Sequence, residues 1–181
     1  MPPQYKGCQT VLLDIDPDVG ADLVMDAREL GTLEAAQYDG VYCSHNLEHY
    51  HEHEVDRVLR GMHHVTTADG FVDARVPDAL AVMRRVIEEE LYLDSTLYIS
   101  PAGPIRACDT LWGWQREIER SGEPWFAHKW GFSERTLWLA FQRAGFRHVL
   151  IDAGNYEIKA LAFKHEPARG LLDQLGVTYE G

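Results

Sequence analysis

The chain has 181 residues, 45% of them hydrophobic and 25% charged, with a formal charge of −12. That length fits one domain able to bury a core without disulfide staples. So acidic a chain is a poor match for nucleic-acid backbones, where affinity comes from Lys and Arg neutralising phosphates. No stretch approaches the ~20 apolar residues of a membrane span, and the polar start, Met1 to Gly7, does not read as a signal peptide. Cys8, Cys43 and Cys108 are widely spaced and form no C-x-x-C, so reduced thiols in a cytoplasm are the simplest reading.

In chain order, Val11 to Ile15 reads as a strand stopped by Asp16-Pro17-Asp18. Asp22 to Met25 is a shorter one ending at Asp26, and Asp39 to Cys43 a third ending at Ser44-His45. Val55, Val58, Leu59 and Met62 recur at i, i+3, i+4 and i+7, which predicts a helix with one apolar face. The turn pair Asp69-Gly70 enters a fourth strand, Phe71 to Val76. After Pro77-Asp78 a second helical stripe, Leu80, Met83, Ile87 and Leu91, is widened by Ala79, Val82 and Val86.

From about 92 to 132, Pro and Gly interrupt a segment that holds Trp112, Trp114, Trp125 and Trp130. It reads as a cap or insertion, with Asp109 starting a helix that runs to about Arg120. Ser133 then caps a helix whose Leu137, Ala140, Phe141 and Ala144 share a face, with Gly145 ending it and Phe146 packing back. Arg147 to Asp152 and Tyr156 to Phe163 flank Ala153-Gly154-Asn155 as a hairpin, and residues 165–181 read as a short amphipathic piece or tail. The expected fold is α/β over residues 1–164: a Rossmann-like, mostly parallel sheet with helices on both faces, an antiparallel hairpin at its end and a Trp-rich insertion.

Leu12-Leu-Asp-Ile-Asp-Pro17, Asp22-Leu-Val-Met-Asp-Ala27, Tyr38-Asp-Gly-Val-Tyr-Cys-Ser-His-Asn-Leu-Glu-His49, Asp69-Gly-Phe71 and Arg75-Val-Pro-Asp78 stand in an order that resembles the class I S-adenosylmethionine-dependent methyltransferases. The resemblance implies S-adenosylmethionine as cofactor and a small-molecule O or N acceptor. It implies ribose binding by Asp14 or Asp16, adenine binding by Asp26 with Ala27, and the methionine end at Ser44 and His45. Ligands of open α/β sheets do bind outside the carboxyl ends of strands. The family's first strand and glycine-rich loop have no counterpart here: Asp16-Pro-Asp-Val19 stands where glycines would, and Cβ atoms block close approach. Six residues between Ile15 and Asp22 are also too few for a helical crossover, which takes about 10–12. Val11 to Ile15 is therefore taken as the family's second strand, with one wall of the cofactor pocket missing and weak binding expected. In the related fold the first strand lies mid-sheet between the second and fourth. Its absence leaves strand edges open, and a homodimer is expected.

Six of the nine histidines fall between His45 and His64. His45-Asn-Leu-Glu-His49 matches the H-x-x-E-H pattern of a zinc hydrolase, which on a helix would place His45 and His49 on one face. No third ligand is singled out among candidates such as Glu88 to Glu90, and no bound metal is expected. Asp14-x-Asp16-x-Asp18 fails as a calcium loop, because Val19 and Met25 occupy its Gly and Glu positions. His49 and His128 are the candidate general bases, His being suited to that role near neutral pH. Cys43 reads as a buried inert thiol. A second function class is a methyltransferase-like module without catalysis that serves in binding or assembly.

Overall fold

The protein is described here by a computed structural model covering residues 2–177. Its first strands are its shortest. β1 (Leu13–Asp14) and β2 (Leu23–Val24) pair in parallel over two residues each, where longer runs were expected. The aspartates cut them short. Asp14 Oδ1 accepts from the amide of Asp16, and Asp16 Oδ1 from that of Asp18, so the chain leaves β1 into a 3-10 turn, Pro17–Val19. Asp26 likewise accepts from the Arg28 amide and starts a 3-10 helix, Ala27–Thr32.

A parallel crossover follows. β3 (Tyr38–Ser44) and β4 (Thr66–Pro77) are joined by α1 (Glu52–Val65), whose Val55, Val58, Leu59, Met62 and Val65 are all buried. Asp69-Gly70 does not precede β4 but lies within it, where pairing jumps from Tyr38–Thr66 to Gly40–Phe71. α2 (Ala79–Glu88) is capped by Asp78, whose Oδ1 accepts from Ala81. Its burial is the reverse of expectation. Leu80, Met83 and Ile87 are exposed, and Val82 turns inward.

β5 (Thr96–Ser100) and β6 (Gly103–Arg106) form an antiparallel pair before α3 (Ala107–Trp112) and α4 (Gln115–Ser121). The single helix expected from Asp109 is therefore two, broken at Gly113-Trp114, and Asp109 sits in the first turn of α3 accepting from the Arg106 amide. α5 (Glu134–Ala144) buries Leu137, Ala140, Phe141 and Ala144 and ends at left-handed Gly145. β7 (His148–Gly154) and β8 (Glu157–Phe163) are antiparallel. Their turn is Asn155-Tyr156, both at positive φ, one residue later than expected. α6 (Arg169–Gln174) buries Leu172; residues 178–181 of the expected tail lie outside the described residues.

The larger sheet has the order β3-β4-β8-β7, and only its β3–β4 pair is parallel, which corrects the mostly parallel sheet expected. One face holds the core: Val72, Ala74 and Val76 of β4 with Ile158, Ala160 and Ala162 of β8, packed with residues of α1 and α5. On the other face Tyr5 lies against Tyr42 and Phe71 and donates to Asp73 at 2.6 Å. A 3-10 turn, Pro3–Tyr5, thus covers Asp73 where a helix was expected. β1 and β2 pair only with each other, and among the described residues no ladder joins them to the free edge of β3. No helix there is long and apolar enough to cross a membrane.

Full burial of a Val, Leu or Phe side chain contributes roughly 1.5–3 kcal/mol. The α1–α5 face therefore carries the stability, while Val11, Leu12, Ile15 and Val24 around β1 and β2 are exposed. Amide hydrogen exchange should accordingly be slowest in β8, which is paired on both edges, and faster by orders of magnitude in β1 and β2. Equal protection in the two regions would contradict this division.

Candidate functional site

The acids at the first strand ends are already partly engaged. Asp14 and Asp16 each commit one oxygen to a local turn. Asp26 is more fully used: Oδ1 accepts from the Arg28 amide, and Oδ2 from Arg28 Nε at 3.0 Å and Nη2 at 2.6 Å. Burial works against ionisation of Asp26, but the Arg28 hydrogen bonds outweigh it and hold the carboxyl below its ordinary range. Arg28 also pairs with Glu54 and lies over the Tyr50 ring. Ala27 is buried in the core. Arg28 was not picked out in the sequence, because a cap and its ion-pair partner two residues on look like any polar turn.

The chain then turns sharply at the carboxyl end of β3. Ser44 is in register with Arg75, and the His45 amide donates to the Arg75 carbonyl at 2.9 Å. His45 has φ +50°, a left-handed conformation that a Cβ disfavours. Its ring stands between Glu157 (Nε2–Oε2 3.1 Å) and Glu48 (Nδ1–Oε1 3.4 Å). The Glu48 carboxylate, against the opposing cost of burial, raises the His45 pKa above its ordinary value. A 3-10 turn, Leu47–His49, follows instead of an α-helix start, so His45 and His49 do not share a helical face.

Within that turn Leu47 is fully buried, and Glu48 follows it inside at 1% exposure. Neither Glu48 carboxylate oxygen has a hydrogen-bond partner. The Glu48 carbonyl accepts from the amides of Lys129 (2.8 Å) and Trp130 (3.2 Å), which ties the end of the insertion to the β3 loop. His128 is brought in by this tether. Its Nδ1 lies 2.9 Å from the Thr110 carbonyl, and His49 Nδ1 lies 3.1 Å from that of Ala127. A carbonyl accepts only, so in each neutral ring Nδ1 carries the proton and Nε2 keeps its lone pair. The two rings meet edge to face at 4.9 Å.

Two candidates 79 positions apart in sequence thus share one site with a buried carboxylate between them. Ligand atoms of Glu48, His49 and His128 all lie within 4.8 Å of one another. Burial lowers the His128 pKa below its ordinary value despite Glu48 nearby, which favours the neutral ring. Cys43 is buried and its thiol pushed up mainly by desolvation, which keeps it protonated. Two surface clefts lie elsewhere. One, of about 390 Å³, adjoins the β7–β8 turn, and one of about 580 Å³ lies between Arg28 and α1. Neither is lined by Asp14, Asp16, Ser44 or His45.

Comparison with known proteins rests on structure, since no family model and no curated protein matches the chain. The PH0226 protein of Pyrococcus horikoshii superposes with a TM-score of 0.53 at 16% identity, over 87% of this chain and 72% of its own. A SAM-dependent methyltransferase of Archaeoglobus fulgidus gives 0.49 at 16%, over 83% and 73%. A possible exported protein of Bordetella parapertussis gives 0.49 at 14% identity, and there the chain, though 91% covered, spans only 56% of the longer protein. The chain shares its overall fold with the PH0226 protein.

One glycine lets the segment that carries His128 pass close to the end of α3. Gly113, at φ +94°, lets residues 126–128 pass so close that a Cβ would stand 2.2 Å from the Phe126 carbonyl oxygen and 2.9 Å from the His128 nitrogen. Gly113→Ala should therefore displace His128 and destabilise the protein by roughly 2 kcal/mol or more. Thermal unfolding measures the loss, and His128 imidazole chemical shifts read the displacement. Unchanged stability and shifts would refute the role given to this contact.

Proposed function

We propose that the chain is a methyltransferase-type domain that binds S-adenosylmethionine weakly and acts on a small O or N acceptor. The observation behind this reading is the meeting of His49, His128 and buried Glu48 beyond the carboxyl end of β3, the side on which open α/β sheets bind ligands. The cofactor supplies an electrophilic methyl group carried on a sulfonium.

The residues fit its adenosine end better than its methionine end. Asp14 and Asp16 each retain an oxygen able to accept from ribose hydroxyls, since only Oδ1 of each is used in the turns. Asp26, with Ala27, is the family's adenine position, but Arg28 shares that carboxylate. Ser44 and left-handed His45 border the methionine end, where no glycine loop lies alongside. On the acceptor side, the Nε2 lone pair of His49 or His128 takes the proton from the acceptor hydroxyl or amine, and positioning supplies most of the remaining rate. The expected homodimer belongs to this reading, with exposed Val11, Leu12 and Ile15 of the N-terminal strand region, or Ile99 and Trp112 of residues 92–132, in the contact.

Calorimetric titration with S-adenosylmethionine and S-adenosylhomocysteine tests the proposal. A Kd at or above ~100 μM is expected, about 5.5 kcal/mol of binding free energy, weakened further by Asp14→Asn with Asp16→Asn. Absence of binding at millimolar concentration would overturn the reading. A sub-micromolar Kd would show that the missing strand costs the pocket nothing. Binding without turnover on any acceptor would favour a non-catalytic module.

A further inference from the structure

We propose that Glu48, His49 and His128 form a binding site for a zinc-class divalent cation. Four observations point there. First, Glu48 is 1% exposed, and both of its carboxylate oxygens lack a hydrogen-bond partner. An isolated ionised carboxylate is expensive to bury and calls for a counter-charge. His45, half-exposed, stands at 3.4 Å, and its other ring nitrogen is turned to Glu157. Second, both imidazoles are set as ligands. The carbonyls of Ala127 and Thr110 hold the two Nδ1–H groups and leave both Nε2 lone pairs free, as backbone carbonyls do behind metal-bound histidines.

Third, a ligand atom of each of the three residues already lies within 4.8 Å of the others, and His128 Nε2 stands 4.0 Å from Glu48 Oε1. Zinc bonds of ~2.0–2.1 Å place tetrahedral donors about 3.4 Å apart, which small side-chain rotations reach. Fourth, the donor set is selective. Two imidazole nitrogens and one carboxylate oxygen suit zinc, iron(II), cobalt or nickel, whereas calcium and magnesium take oxygen cages. Three protein ligands leave one position open, the pattern of a catalytic rather than a structural centre. The cluster is not the H-x-x-E-H centre of a zinc hydrolase: His45 is not among the converging atoms, and His128 stands in as the second histidine beside Glu48 and His49.

The cation and a free histidine base exclude each other, because both use the same Nε2 lone pairs. With metal bound, an oxygen ligand at the open position has its pKa lowered, whether it is water or an acceptor hydroxyl. Only that last role rests on the methyl-transfer reading; the binding itself does not.

The test uses full-length, untagged protein stripped with chelator and dialysed. Titration with ZnCl₂ by calorimetry should give one equivalent per chain, and titration with Co(II) should give the intense visible absorption of a four-coordinate site. Glu48→Gln keeps the shape of the side chain, and with His128→Gln should weaken zinc by at least tenfold, while folded content is followed by circular dichroism. His51→Gln with His53→Gln, which alters the exposed histidines of the same stretch, should leave affinity unchanged. No zinc binding by the folded wild type overturns the proposal. So does binding that survives Glu48→Gln and His128→Gln but disappears with His51 and His53. Zinc is titrated without S-adenosylmethionine and the reverse, so either reading can fail alone.

Discussion

A carboxylate held out of water organises the functional end of this molecule. Glu48 is drawn inside because Leu47, its neighbour in a single 3-10 turn, is fully buried and fixes that turn against the core. The Glu48 backbone carbonyl then accepts two amides from residues 129 and 130, so the same residue that carries the buried carboxyl group also anchors the segment of Lys129 and Trp130. Taking an ionised carboxylate out of water costs several kcal/mol even after relaxation. The surroundings offset that cost through what they bring near it, two oriented imidazoles and His45 at the rim. Gly113 permits the approach, and the Thr110 and Ala127 carbonyls set the tautomers.

The amino-terminal third is attached in a different way. Where a continuous sheet would join β1 to β3 through a strand between them, the described residues offer no ladder. Side chains make the connection. Leu30 and Ala27 of the 3-10 helix belong to the core, and Arg28 reaches Glu54 on α1. Gly61 allows this helix to sit against α1, since a Cβ there would stand 2.7 Å from Leu30 Cβ. The acids of β1 and β2 thus ride on a small unit docked through one helix face.

Local pattern was legible where one side of an element was plainly apolar. The stripes of α1 and α5 and the run of β3 each point one way, and burial follows them. α2 shows where the signal fails: with Leu80, Met83 and Ile87 on one side and Val82 and Val86 on the other, periodicity names a helix but not its buried face. Only tertiary contact decides, and it chose Val82. The site was legible as residue types and not as partners. His49 and His128 both stood out as candidate bases, but their meeting depends on two amides donated to one carbonyl and on a glycine at φ +94°, neither of which leaves a periodic trace. Glu48 was visible within its motif, yet nothing local says that a glutamate between Leu47 and His49 loses its water.

Crystals of the protein grown with zinc, measured at the zinc absorption edge, test the central claim most directly. An anomalous peak is expected at ~2.0–2.1 Å from a Glu48 carboxylate oxygen and from Nε2 of both His49 and His128. A peak confined to His51 and His53, or a Glu48 side chain swung out to solvent with its loop reordered, would contradict the account.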